Sequence, residues 1–127
     1  MLLKTLALSV FIANVSAGCF SGGVGWVDDR DGAAYHAERA CRGFDGQAGK
    51  FQGTFKPGES RSVCVELSGT VRADFTIQNT NLNNAIDLKD DDCVGKLRNE
   101  IYGCWYGGDS TTDGWRVIGD PNNGFCS

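Results

Sequence analysis

The chain has 127 residues, 12 basic and 16 acidic side chains and a formal net charge of −4. This length fits one domain, and no long linker or internal repeat divides it. The basic residues are interspersed with acidic ones and form no cluster, which argues against binding to the phosphate backbone of a nucleic acid.

Residues 1–17 have the pattern of a secretory signal peptide. Lys4 is their only charged residue, a largely apolar run covers residues 6–13, and Val15 and Ala17 precede the expected cut. The run is far shorter than the roughly 20 residues of a membrane-spanning helix. We therefore predict cleavage after Ala17, a secreted, extracellular domain over residues 18–127, and no membrane insertion.

A first helix is predicted over residues 33–42, where alanines and Cys41 form one apolar stripe. Asp31 is expected to cap its start and Gly43 its end. His36, the single histidine, lies on the flank of the stripe and is interpreted as an ordinary half-exposed helix residue. The preceding acidic stretch, residues 28–32, resembles a calcium loop but lacks its final glutamate, so a turn is the better interpretation.

Beyond this helix the apolar period changes to two, which indicates strands. Apolar residues alternate with polar ones over 51–55, 63–67 and 71–77, with short turns between them, and this predicts an antiparallel meander. One face is apolar and the other polar, so both helices should pack on the apolar face. Residues 115–118 are predicted to form a further strand.

A second helix is predicted over residues 86–102, with a stripe that includes Cys93, Leu97 and Ile101 and with Gly103 after its end. The predicted fold class is α+β: an antiparallel sheet of three or four strands with two helices packed on it. Three disulfides should stabilise it, because six cysteines in a short exported chain are typical of a disulfide framework. One histidine and no C-x-x-C pair argue against zinc, so no metal or other cofactor is expected.

The assigned faces restrict the cysteine pairing. Cys64 points to the polar face, away from the helices, and can reach only Cys19 or Cys126. Cys41 then pairs with Cys93 or Cys104, and the other of these two takes the remaining terminal cysteine. Four connectivities remain, of which we favour Cys19–Cys64, Cys41–Cys93 and Cys104–Cys126.

The loops contain aromatic, amide and carboxylate side chains, which suit sugar recognition. An aromatic face stacks on the C–H groups of a sugar, and planar polar groups bind its hydroxyls. Glu66 and Asp74 face the same way and could form a glycosidase pair, but a solvated surface role is favoured and no catalytic residue is predicted. The predicted glycan-binding residues are Trp26, Trp105, Tyr106, Asp109, Trp115 and Asn122.

Several short stretches are spaced along residues 18–127 in a characteristic order. They are Cys19-Phe20-Ser21-Gly22-Gly23, then Cys93 with Leu97, Glu100, Ile101 and Cys104, then Gly107-Gly108, Trp115-Arg116 and Asp120 to Cys126. In this order they resemble the Y3-like family of secreted fungal glycan-binding proteins. The resemblance implies a compact α/β domain, compatible with a homodimer, that binds extracellular oligosaccharide without transforming it. The alternative is a small cysteine-rich effector, toxin or inhibitor that acts on a host or competitor protein.

Overall fold

A computed structural model describes residues 18–127, and the predicted signal peptide lies outside this range. The described chain alternates short strands with two helices of 13 residues each. The helices are α1 (Arg30–Arg42) and α2 (Asp90–Tyr102), and the strands are β1 (Thr54–Phe55), β2 (Ser60–Glu66), β3 (Val71–Asn79), β4 (Ile86–Asp87), β5 (Gly108–Thr112) and β6 (Trp115–Asn123).

The main sheet has four antiparallel strands in the order β2-β3-β6-β5. Its centre is the long β3–β6 pair, in which Phe75 lies opposite Gly119. Strands β5 and β6 form a hairpin through Asp113 and Gly114, whose φ angles of 54° and 82° suit a two-residue turn of the primed type. Strand β5 was not predicted, because residues 108–112 contain no large apolar side chain to mark an alternation.

The predicted meander is wrong in its first strand. Only Thr54–Phe55 of that segment is extended, and it pairs with Ile86–Asp87 in a separate two-stranded sheet. The same pairing explains why the second helix begins at Asp90 rather than at Ile86. Ile86 supplied an apolar position in register with the helical stripe, but its backbone hydrogen-bonds to another strand instead.

Helix α1 begins earlier than predicted because a 3-10 turn over Val27–Asp29 leads directly into it. Asp31 is therefore not the N-cap, and it lies within the first helical turn. The C-terminal prediction is confirmed, since Gly43 has φ 80° and its N–H donates to the carbonyl of Arg39. Glycine adopts this left-handed backbone without steric cost.

Both helices cover the same face of the main sheet and enclose the core with it. The side chains shared by this core come from α1, α2, β3 and β6: Ala33, Ala37, Phe75, Ile77, Leu97, Ile101, Trp115 and Val117 are all buried. The α+β class with two packed helices is thus confirmed, with two antiparallel sheets in place of one. The opposite face of the main sheet carries polar side chains such as Ser62, Thr76 and Gln78, and neither helix covers it.

Three disulfides join Cys19 to Cys104, Cys41 to Cys93 and Cys64 to Cys126. This is one of the four predicted connectivities, but the favoured one is wrong at both termini. The N-terminal segment runs beside β5, where Phe20 N–H donates to Gly107 O and Asp109 N–H donates to Gly18 O. The C-terminus leaves β6 toward the polar face, where Cys64 lies.

Candidate functional site

The three tryptophans differ sharply in exposure. Trp26 is 0% exposed and Trp115 is 5% exposed, whereas Trp105 is 51% exposed. Trp26 donates its indole N–H to the carbonyl of Glu100, 3.3 Å away, and Trp115 packs its ring edge against Phe55 at a centroid distance of 5.1 Å. Trp26 and Trp115 are therefore structural side chains of the core, and Trp105 is the tryptophan whose ring can contact a ligand.

Trp105 is held in a defined orientation at the end of α2. Its carbonyl accepts a hydrogen bond from the N–H of Trp26 at 3.1 Å, and its neighbour Cys104 is bonded to Cys19. The backbone of Gly25 passes close to the indole, since a Cβ at that position would lie 2.7 Å from Nε1 of Trp105. Glycine is thus required at position 25 for the indole to lie where it does.

Arg30 lies over the Trp105 ring, and Tyr102 is linked to Asp31, the sequence neighbour of Arg30. The guanidinium of Arg30 lies 4.8 Å from the ring centroid of Trp105, and its Nε donates to the carbonyl of Ile101 at 3.1 Å. The Tyr102 hydroxyl donates to Asp31 at 2.6 Å, and this bond raises the pKa of Tyr102. The hydrogen bond also links the beginning of α1 to the end of α2.

Further arginine–aromatic contacts lie at exposed or half-buried positions in or next to the two helices. Arg98 lies 4.7 Å from the ring centroid of Tyr102, and Arg39 lies 5.1 Å from that of Tyr35 and 3.8 Å from that of Phe44. Arg39 also donates a hydrogen bond to the Tyr35 hydroxyl. We call these arginines and their aromatic partners, taken together, the helical aromatic surface: Arg30, Tyr35, Arg39, Phe44, Arg98, Tyr102 and Trp105.

The other predicted site residues lie away from Trp105. Asp109 is on the uncovered face of the main sheet, where both of its oxygens accept hydrogen bonds from Arg116 at 3.0 and 2.7 Å. Asn122 is on the same face and donates to Asp74 at 2.8 Å. Tyr106 is half-buried. The six predicted residues therefore do not form one cluster, and only Trp105 combines an aromatic ring with high exposure.

A shallow cleft of about 380 Å³ lies between α2 and the β5–β6 hairpin. Its lining is mostly polar and comprises Leu88, Asp91, Asp92, Gly95, Lys96, Asn99, Asp113 and Trp115. Lys96 donates to the Thr112 hydroxyl at 2.8 Å and forms an ion pair with Asp113 at 3.3 Å. Because the Trp115 ring is almost wholly covered, this cleft offers polar groups but no aromatic face for stacking.

The carboxylates considered for acid–base chemistry have structural partners. Asp74 accepts hydrogen bonds from Arg72 and Asn122, and Glu66 accepts one from the N–H of Cys126 at 2.9 Å. Asp120 lies directly opposite Asp74. The pKa of Asp120 is raised by burial and by the charge of Asp74, and a hydrogen bond from Asn122 partly opposes this increase. These contacts connect strands and the C-terminus, which is a structural role.

His36 is half-buried on α1, as predicted, and its ring meets that of Tyr35 edge-on. Burial, together with the charge of Arg39, lowers its pKa. Within residues 18–127, no group of three or more histidine, cysteine, aspartate or glutamate side chains is arranged to hold a metal ion. In the same range, no helix combines the length and apolar character needed to cross a membrane.

Comparison with known proteins gave no match: no protein-family model, no curated protein and no solved structure is similar to this chain at a significant level. The resemblance to the Y3-like family therefore stays a prediction.

Sequence reasoning missed Arg30, Tyr35, Arg39, Phe44, Arg98 and Tyr102 as part of the candidate site. The sequence contained an indication of two of these pairs, since Tyr35 precedes Arg39 by four residues and Arg98 precedes Tyr102 by four. Residues at this spacing are neighbours on a helix surface. The pair of Arg30 with Trp105 had no such signal, because it joins segments far apart in the chain.

Proposed function

We propose that the chain is a secreted, lectin-like protein that binds extracellular oligosaccharide without catalysis. The observation that carries the proposal is Trp105, a half-exposed indole held in place by the Trp26 backbone, Gly25 and Arg30. A fixed aromatic face binds the C–H side of a sugar with little loss of side-chain entropy, because the ring is already ordered.

Arg30, which lies over the indole, and its sequence neighbour Asp31 offer hydrogen-bonding groups to a saccharide. Asp31 keeps a second oxygen beyond the one that accepts the Tyr102 hydroxyl, and Arg30 keeps donors on its terminal nitrogens. Three disulfides suit a protein of an oxidising compartment, which supports secretion.

The test compares Trp105→Ala with Phe125→Ala on a glycan array and by titration. Phe125 is also an exposed aromatic residue, 65% exposed, but it lies at the C-terminus next to Cys126. We expect Trp105→Ala to lower the affinity about tenfold or more, since loss of stacking and orientation costs on the order of 1–2 kcal/mol, and Phe125→Ala to change it less than about twofold.

Tryptophan emission gives a second readout. Because Trp26 and Trp115 are buried, ligand-induced changes in emission should come from Trp105 and disappear in Trp105→Phe, while affinity is largely kept. Binding that survives unchanged in Trp105→Ala would contradict this site, and no binding to any saccharide would contradict the function.

A second candidate is binding to a host or competitor protein through the same surface. Two observations favour it. Two of the three tryptophans are buried, so fewer aromatic faces are open to sugars. Arginine and aromatic residues, which pair on the outside of the helices, are both enriched in protein interfaces. We rank it second because Trp105 offers an ordered stacking face of the kind that suits a sugar ring. An array that is blank for saccharides would favour this alternative.

A further inference from the structure

The seven arginines of residues 18–127 fall into two groups. Arg42, Arg61, Arg72 and Arg116 each form an ion pair with at least one carboxylate. The three arginines of this range without an ion pair to a carboxylate all belong to the helical aromatic surface, and they are Arg30, Arg39 and Arg98.

Each of these three guanidiniums lies over an aromatic ring instead of beside an acid. Stacking satisfies the flat face of a guanidinium but leaves the N–H groups at its edge directed along the ring plane. Within residues 18–127, Arg30 donates only from Nε, to the carbonyl of Ile101, so its two terminal nitrogens keep their donors for a ligand. This is the geometry with which arginine binds a carboxylate or sulfate through two parallel hydrogen bonds.

Three acidic side chains near these arginines in sequence have partners within residues 18–127, although accepting a hydrogen bond does not cancel the charge of a carboxylate. Asp31 accepts the Tyr102 hydroxyl, Glu38 forms an ion pair with Arg42, and Asp29 accepts the N–H of Ser68. Asp28 is exposed at the 3-10 turn and balances part of the positive charge. An anionic ligand would therefore be held by direct contacts with guanidinium edges, and the net charge of −4 of the chain gives it no long-range attraction.

We infer that the ligand of the helical aromatic surface is an anionic oligosaccharide, one that carries a uronate carboxylate or a sulfate ester. Trp105 stacks on a sugar ring, the edge of Arg30 binds the acidic group of that sugar, and Arg98 binds a further acidic group along the chain. This inference rests on the proposed saccharide-binding function and adds the charge of the saccharide to it.

The experiment measures the affinity of the mature protein for matched oligosaccharide pairs by titration calorimetry. An oligogalacturonate is compared with its methyl ester, and a sulfated galactan oligosaccharide is compared with its desulfated parent. Each pair keeps the sugar ring and removes the charge, by a methyl ester on the carboxylate in the first pair and by replacement of sulfate with hydroxyl in the second. We expect at least one acidic member to bind about tenfold or more tightly than its neutral partner, the effect of one charge-assisted bidentate contact; which pair shows the difference distinguishes carboxylate from sulfate.

Arginine variants test whether the acidic group binds at the helical aromatic surface. Arg30→Gln and Arg98→Gln should each lower the affinity for the acidic member severalfold to tenfold and leave the neutral member unchanged. Arg30→Lys should not restore it, because a lysine cannot form two parallel bonds in one plane. Arg116→Gln removes the same charge from the uncovered sheet face and is the matched control, with an expected change under about twofold. Thermal unfolding of each variant shows that it is folded.

The outcomes separate the two proposals. If neutral and acidic members bind equally, the anionic class is wrong and saccharide binding stands. If Arg116→Gln lowers affinity as much as Arg30→Gln, the effect is overall charge and the assignment to this surface is wrong. If no member of either pair and no array saccharide binds, both proposals fail.

Discussion

Glu100 is the buried carboxylate of the described core, 4% exposed and enclosed between α2 and the β5–β6 hairpin. Its Oε1 accepts a hydrogen bond from the Ser110 hydroxyl at 2.9 Å. Gly119 makes room for this side chain, since a Cβ there would lie 3.0 Å from Cβ of Glu100. Burial raises the pKa of Glu100, although the bond from Ser110 opposes the effect and the charge of Asp109 adds to it.

This environment predicts that Glu100→Gln stabilises the protein at neutral pH. Because the pKa of Glu100 is raised in the folded state, the protonated carboxyl stabilises the fold. This contribution to the free energy of unfolding is complete below the ordinary pKa of 4.5 and is lost as the pH rises through the folded-state pKa. The amide keeps the acceptor for Ser110 and carries no charge, so we expect about 1 kcal/mol of added stability at pH 7.

Urea unfolding at pH 7 and pH 4 measures the effect. The advantage of Glu100→Gln should largely disappear at pH 4, where the carboxyl is mostly protonated in both states. Glu38→Gln, which changes an exposed glutamate of α1, is the control and should shift stability by less than about 0.5 kcal/mol. A variant that is less stable than the parent at pH 7 would contradict the prediction.

Helix α2 contains a glycine in its exposed middle. An added Cβ at Gly95 meets no atom within 4 Å, so the position is open to any small side chain. Glycine destabilises a helix interior relative to alanine because it loses more backbone freedom on folding. The sequence of α2 therefore gives up local stability at this point, and packing against β6 and α1 holds the helix in place.

We expect Gly95→Ala to raise the free energy of unfolding by about 1 kcal/mol. Urea unfolding monitored by far-UV circular dichroism measures it, with unchanged dependence on urea concentration as a check on the folded state. Gly119→Ala is the matched comparison and should destabilise, since its methyl group would press on Glu100. Equal effects of the two substitutions would contradict the packing described for this region.

The disulfides connect the layers of the domain at three separate places. Cys41–Cys93 joins α1 to α2 within the helix layer, and Cys64–Cys126 fixes the C-terminus to the exposed face of β2. Cys19–Cys104 attaches the N-terminal segment to the loop that carries Trp105. This last bridge therefore stabilises the backbone directly next to the candidate binding site.

Proteolysis without reduction, followed by mass spectrometry, should recover peptides that link Cys19 to Cys104 and Cys64 to Cys126. The Cys64–Cys126 bridge closes a loop with a sequence separation of 62, so its removal by a Cys64→Ser/Cys126→Ser pair should cost about 4 kcal/mol in the chain-entropy model. A peptide that joins Cys104 to Cys126 would contradict the observed connectivity.

The three tryptophans show why the candidate binding site could be predicted only in part from the sequence. Trp105 was identified because an aromatic residue beside glycines indicates an accessible loop, and the same signal failed for Trp26 and Trp115. Trp26 lies next to the 3-10 turn before α1 and Trp115 is the first residue of β6, and in both places the indole fills the core. Exposure of a large side chain depends on the elements that pack around it, which short-range patterns do not encode.

Local patterning determined much of the fold. The apolar stripe of residues 33–42 and the alternation in residues 63–67 and 71–77 report which side of each element is buried, because burial repeats with the geometry of the helix or strand. The same faces limited Cys64 to a terminal cysteine. Only the tertiary structure decided which terminus reaches it, where the strand of residues 108–112 lies, and that Arg30 stacks on Trp105. These contacts join segments far apart in the chain, and their formation depends on the order of strands and the course of loops rather than on any repeat in the sequence.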